Sequence, residues 1–277
     1  MQSLERKILE VNPKDFIKRS AIAQDFSELV NYSAKIFSPD GELLVVYEAN
    51  ADAAPLRVAR ECLNAAKFTW NKRSNGMKTN SEIFGYAPRH GMRRQPCRLS
   101  AWQLTEQAAG KALMDAASFL DEWYERHTPE SYRLHRETVS QVLPDWKIED
   151  TVFTSGIANK NNQVAYHYDA GNFKDCRSIM IGFREKCRGG LLAVPQLNLL
   201  FEIGDNSIIS FDGQSLIHGV TPMYISPGGF RYTVVYYSLR KMWDCSPIDE
   251  ELIAFRKRMD ATTVNPHWKR KERGDGE

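Results

Sequence analysis

Tyr166-His167-Tyr168-Asp169 sets a histidine and an aspartate two residues apart. On an extended strand that spacing turns both side chains to one face, where they can reach a single metal ion. A second histidine, His218, follows 49 residues after Asp169, just past an Asp212-Gly213 turn. Two imidazoles and one carboxylate make the facial triad of a non-haem Fe(II) centre, which leaves three coordination positions for a chelating cosubstrate and dioxygen. Thirteen residues beyond His218 comes Arg231, with Thr233 two further on and facing the same way. A guanidinium there can take a carboxylate through two parallel hydrogen bonds, as the distal end of 2-oxoglutarate requires. The other four histidines, His90, His127, His135 and His267, show no ligand spacing and read as structural or surface residues.

The elements that must carry these side chains lie in the second half of the chain. Short strands are expected at 151–158, 163–168, 177–184, 190–194, 198–203, 206–211 and 231–239. Gly189-Gly190, Gly204-Asp205, Asp212-Gly213 and Pro227-Gly228-Gly229 supply the breaks between them. The first half is mainly helical in pattern. Residues 13–36 carry Phe16, Ile17, Ala21, Ile22, Phe26, Leu29 and Val30 at helical spacing. A short strand, Leu43 to Tyr47, and a helix over 54–67 follow. Ser100 opens the strongest helix signal, a capping box to Gln103 and then one stripe of Leu113, Ala116, Ala117, Leu120 and Trp123. Thr128-Pro129 starts another helix.

This pattern predicts an α+β protein, a β-barrel or sandwich backed by N-terminal helices. With no repeat or low-complexity linker, residues 1–265 read as one domain. Within it, 1–149 are helical support and a substrate segment, 150–245 are the strand-rich core, and 266–277 are a flexible tail.

Composition narrows the class. Hydrophobic residues at 42% and charged residues at 26% are those of an ordinary soluble domain. No apolar run has transmembrane length, and the first residues carry charge where a signal peptide needs an apolar stretch. A cytoplasmic monomer without a membrane or obligate protein partner is the expectation. The five cysteines are odd in number and widely spaced with no CxxC pair, which argues against disulfides and structural zinc and fits a reducing compartment. The net charge of +2 does not by itself suggest nucleic acid, but its distribution does. Between Lys72 and Arg98 there are seven basic residues and one acid, Glu82, interleaved with Phe84, Tyr86 and glycines. A second basic cluster, Arg256-Lys257-Arg258 and Lys269-Arg270-Lys271, reads as a solvated face.

YHYDAGN, GGLLAVPQLNLLFEIGDNSIISFDGQSLIHGV and GGFRYTVVYYS resemble the double-stranded β-helix (jelly-roll) core of Fe(II)/2-oxoglutarate dioxygenases, over about residues 150–240. The resemblance implies that His167, Asp169 and His218 bind Fe(II), and that Arg231, with Thr233, binds 2-oxoglutarate. Dioxygen is then consumed, with ascorbate as a stimulant. It also implies oxygenation and not halogenation, because related halogenases carry a small residue where Asp169 stands.

A second stretch, RSNGMKTNSEIFGYAPRHGMRRQPCRLSAW, resembles the segment upstream of the core in the TET/JBP group of nucleic-acid-modifying dioxygenases. The matching positions are Arg73, Phe84-Gly85, Arg93-Arg94 and Cys97-Arg98. The cysteine-rich region of the group's animal members is missing here, so the likeness is to compact microbial or viral members such as those of bacteriophages. For a viral member, localisation would mean the cytoplasm of a bacterial host. The group implies DNA as partner and hydroxylation of a 5-methylpyrimidine methyl group, 5-methylcytosine to 5-hydroxymethylcytosine. Thymine in DNA, or a small molecule or amino acid, are the alternative substrates. A base in duplex DNA must be flipped out, which calls for phosphate clamps and stacking side chains. Arg73, Arg89, Arg93 and Arg94 are the expected phosphate contacts, with Phe84, Tyr86 or Trp102 to stack. Asn159, Asn161 and Asn162 form either a base-reading edge or a polar loop.

Overall fold

A computed structural model describes residues 1–72, 78–90 and 95–263. Strands β1 (Gln2–Glu5), β2 (Glu28–Val30), β3 (Ala34–Phe37) and β4 (Leu43–Glu48) come first, with a one-turn helix α1 (Pro13–Phe16) between β1 and β2. Helix α2 (Ala54–Ala65) leads to β5 (Trp70–Lys72), β6 (Lys78–Ala87) and β7 (Arg98–Leu99). Helices α3 (Ala101–Thr105), α4 (Gln107–His127) and α5 (Pro129–Val139) follow. The strand-rich half holds β8 (Ser155–Lys160), β9 (Ser178–Gly189), β10 (Leu192–Val194), β11 (Leu199–Phe201), β12 (Ser207–Phe211), β13 (Gly219–Val220) and β14 (Met223–Tyr237). Helix α6 (Ile248–Thr263) comes last.

Two sheets face each other. The large one runs β1-β3-β4-β12-β9-β14-β8-β6-β5, and the small one β13-β10-β11-β2. Strand alternation decides what each side chain meets. Val46, Ile208, Ile181, Tyr232, Val234 and Tyr236 point to the helices, where they join Leu113, Ala117, Leu120 and Trp123 of α4. Val45, Tyr47, Ile209 and Phe211 point the other way and pack on Leu192, Val194, Leu199 and Phe201 of the small sheet. The result is the α+β double-stranded β-helix, with helices on one side of the large sheet and the small sheet on the other. The strands alternating with Tyr232 and Val234 therefore aim Arg231 and Thr233 into the space between the sheets.

Four expectations need correction. The helix over 13–36 does not form. Its first turn ends at Lys18, whose φ of 71° lies in the left-handed region, and strands β2 and β3 occupy the rest. Its apolar residues are used by different partners. Phe16 packs edge-on to Tyr166 at 5.4 Å, and Val30 pairs with Phe201. The segment 163–168 is extended but makes only a narrow ladder, with Val220 N–H donating to Val164 O and His167 bridging His218. The helix signal from Ser100 breaks at Glu106. Ser100 Oγ does cap Gln103 N–H, but the Gln103 side chain accepts from Gly85 N–H at 2.6 Å and so leaves the reciprocal half of the box unmade. Finally, Cys97 and Cys245 form a disulfide across 148 residues, with Cα atoms 5.9 Å apart. Spacing along the chain carried no trace of it, because only the fold brings β7 beside the start of α6.

Candidate metal centre

His167, Asp169 and His218 converge, each offering a ligand atom within 4.8 Å of the others. His167 and His218 exchange both backbone hydrogen bonds, His167 N–H to His218 O at 3.0 Å and His218 N–H to His167 O at 3.1 Å. Asp169 N–H donates to Gly213 O at 2.8 Å, which ties the HxD segment to the turn before His218. That turn is built by Asp212, whose carboxylate accepts from Gln214 N–H and Ser215 Oγ–H. The buried Gln196 side chain spans the same loop, accepting from Ile217 N–H and donating to Ser215 O. Behind the HxD segment, Tyr166 exchanges backbone bonds with Lys18 and Arg19.

The two imidazoles are oriented alike. His167 Nδ1 lies 2.9 Å from Ala165 O, and His218 Nδ1 lies 3.0 Å from Leu216 O, each the carbonyl two residues back. A carbonyl can only accept, so each Nδ1 carries a proton and each Nε2 is the nitrogen left to face a metal. Those Nε2 atoms sit 3.8 Å and 3.6 Å from Asp169 Oδ1. Burial alone would raise the Asp169 carboxyl, but the neighbouring His218 and His167 outweigh it and hold it below the ordinary carboxylate range. Deprotonated at Nε2 when a metal binds, the two imidazoles with the ionised carboxylate would be a donor set for a divalent cation with positions left open. Gly213 leaves the room: a Cβ there would lie 2.9 Å from Asp169 Cγ and 3.2 Å from His218 Cε1.

Arg231 is 1% exposed, and its Nε and Nη2 find no acceptor among the described residues. Burial pushes its guanidinium down to about 10, with Arg184 adding to the effect. A buried cation with unused donors calls for an anion. The fit to the distal carboxylate of 2-oxoglutarate rests on those unused donors. Gly190, at φ +65°, lies against Arg231 and precedes β10; β10 pairs with β13, which begins directly after His218. The guanidinium thus reaches from the large sheet to the turn that leads into the small sheet. Arg184 faces Arg231 across the β9–β14 ladder and donates to Cys187 O and Gly189 O, holding the turn that Gly190 completes. Asn161 Oδ1 accepts from Arg231 N–H, and Asn159 Nδ2 donates to Thr233 O.

The substrate segment is assembled differently from its expected roles. Phe84 is fully buried, edge-on to Tyr236 at 5.0 Å, and cannot stack on a base. Cys97 is disulfide-bonded and 3% exposed. Arg89 is paired with Glu251 and also donates to Ser246 Oγ. Arg98 donates to Pro96 O. Asn159 accepts from Ser81 Oγ–H and Asn162 bonds Asn80 and Ser81, so these asparagines form an internal network and not a base-reading edge. Trp102 is buried, with its indole N–H on Lys67 O. Arg73, Arg93 and Arg94 lie outside the described residues. Gly190, Gly213, Arg184 and Gln196 were not singled out by sequence; the first two were legible only as breaks between strands.

The Tet_JBP family profile, the oxygenase domain of the 2OGFeDO superfamily, matches residues 84–240. The chain belongs to the Tet_JBP oxygenase family. Among curated relatives of this Tet_JBP chain, the bifunctional helicase and thymine dioxygenase JBP2 of Trypanosoma brucei brucei is 26% identical over 64% of the chain. The protein of the same name from Leishmania braziliensis is 22% identical over 87% of it. The matched stretches are only 16% and 21% of those proteins' lengths. A solved structure, NgTET1 in complex with 5mC DNA, shares the fold with a TM-score of 0.59 at 13% identity, covering 82% of this chain and 84% of that one. The Tet_JBP chain is thus an oxygenase of the 2-oxoglutarate/Fe(II) type. Among its described residues, no helix is long and apolar enough to cross a membrane.

Proposed function

We propose that this oxygenase hydroxylates the methyl group of a 5-methylpyrimidine in DNA, with 5-methylcytosine as its base. One observation carries the reading: a His-Asp-His cluster together with a buried Arg231 that has no acceptor for its Nε and Nη2 among the described residues, in a chain of the Tet_JBP family. His167, Asp169 and His218 would hold Fe(II), and Arg231 with Thr233 would hold 2-oxoglutarate. Bound together, the metal and cosubstrate supply the oxidising power to insert one oxygen atom of dioxygen into a C–H bond.

The chain's own residues do the rest. The carbonyls of Ala165 and Leu216 fix the imidazole tautomers, so that both Nε2 atoms are presented as donors. Asp169 stays ionised and offsets the charge of a bound cation. Arg231 would orient a carboxylate without competition from a protein acid among the described residues. The basic content of residues 72–98 supports a DNA substrate through phosphate contact.

Thymine is a second reading, favoured by the names of the JBP2 relatives. Nucleoside mass spectrometry decides between them. The protein is incubated with Fe(II), 2-oxoglutarate and ascorbate on unmodified and on cytosine-methylated DNA. A hydroxymethylcytosine product only from methylated DNA, lost in His167→Ala, is expected. Hydroxymethyluracil from both DNAs would establish thymine instead. Intact 2-oxoglutarate turnover with no oxidised base from either would overturn the DNA reading in favour of a small-molecule substrate.

A further inference from the structure

The last helix is fastened to the substrate segment by a buried acid. Glu251, 1% exposed, accepts from Arg89, from Cys97 N–H at 3.2 Å and from Ser246 N–H at 2.9 Å. The Cys97–Cys245 disulfide reinforces the same junction. Just upstream, Arg240 N–H donates to Gly171 O, two residues past Asp169, and Trp243 lies 4.5 Å from Phe173. The segment leading into α6 is therefore held between the loop that follows the HxD motif and the residues Arg89 and Cys97.

Beyond Glu251 the helix carries exposed charge. Its exposed face presents Asp249 and Glu250 in the first turn, Leu252 and Ile253 in the next, and Arg256 and Lys257 after that. Arg256 and Lys257 are exposed and make no ion pair among the described residues. At about 1.5 Å of rise per residue they stand roughly 8 Å along the axis from the buried anchor. The acids sit at the helix N-terminus, where the backbone dipole favours them, and leave the following turns net positive.

We infer that α6 is a DNA-contacting element, with Arg256 and Lys257 gripping the phosphate backbone of the bound duplex. The inference rests on the DNA reading proposed above. Charge complementarity and direct continuity with the substrate segment support DNA as the occupant of this face.

The test uses the full-length chain and a fluorescein-labelled duplex, with anisotropy isotherms from 50 to 300 mM (roughly) NaCl. Each phosphate contact adds about 0.9 to the slope of log affinity against log salt. The double variant Arg256→Gln/Lys257→Gln should weaken binding and flatten that slope by about 1 to 2, with an unchanged thermal unfolding midpoint. A second variant, Leu252→Ser/Ile253→Ser, should leave the slope as it is. Wild-type affinity with an unchanged slope in the glutamine variant overturns the inference and leaves the DNA reading standing. Loss of binding to phosphatidylserine vesicles with no change on DNA assigns the face to a lipid surface instead and also overturns it. A wild-type chain that binds no duplex removes both.

Discussion

Gly190 and Arg231 are in direct contact: a Cβ on Gly190 would lie 2.8 Å from Arg231 Cδ and 2.9 Å from its Nε. The glycine also holds φ at +65°, a conformation costly for alanine. Gly190→Ala should therefore displace the guanidinium while leaving the three metal ligands alone. A lost charge-assisted hydrogen bond is worth about 1.5–3 kcal/mol, or roughly 10- to 100-fold. The expected outcome is a rise of that size in the KM for 2-oxoglutarate. Mn(II) affinity, read by anaerobic calorimetry, should not change.

Gly213→Ala should have the opposite selectivity. The new methyl group would crowd Asp169 Cγ and His218 Cε1, on the metal side of the site. Mn(II) affinity should fall about 10- to 100-fold, as for loss of a group that orients ligands. Near-wild-type Mn(II) binding would mean that Asp169 does not ligate from its present position.

Phe84→Ala separates packing from base stacking. The ring is fully buried against Tyr236, and Gly156 leaves room for it. Truncation of a buried phenylalanine costs about 3–5 kcal/mol, which urea unfolding should read directly. A loss under about 0.5 kcal/mol together with abolished DNA binding would restore the stacking role.

His135 sets a pH limit on the fold. It is fully buried, hydrogen-bonded to Ser238 Oγ, and burial pushes its pKa down to about 3. The unfolded chain takes up a proton there near 6.5 and the folded one does not. The unfolded state thus binds more protons as pH falls below 6.5, and stability declines toward acid by up to about 1.4 kcal/mol per pH unit from this group. His135→Gln should flatten the stability profile between about pH 4.5 and 6.5, measured by denaturant titration. An unchanged profile would assign the acid sensitivity to carboxylates.

The candidate metal ligands were legible because their pattern is local: a two-residue spacing on extended backbone, and a histidine after a Gly-containing turn. Arg231 and Thr233 followed from the same period. The short strands separated by Gly-containing turns announced the strand-rich core, and the stripe from Leu113 to Trp123 announced the helix that covers it. Residues 13–36 misled because apolar residues at helical spacing also suit separate short strands, and only partners distant in sequence, such as Tyr166 and Phe201, decide between the two. The same reason hid the roles in the substrate segment. Phe84 and Asn159 look like ligands for a base until β6 and β8 pair and turn them inward. Arg89 looked free because Glu251, its partner, lies 162 residues away.

The Cys97–Cys245 bond makes a covalent ring of the intervening chain, and His167, Asp169, His218 and Arg231 all lie on it. A protease nick anywhere on that ring leaves one molecule, and separates fragments only once the bond is reduced. Two arms emerge from the closure point, one carrying residues 1–96 and the other α6. While the ring is closed, the approach to α6 is pinned covalently one residue before Ser246; opened, it is still held by Glu251 and by Ser246 O, which accepts from the Trp146 indole N–H.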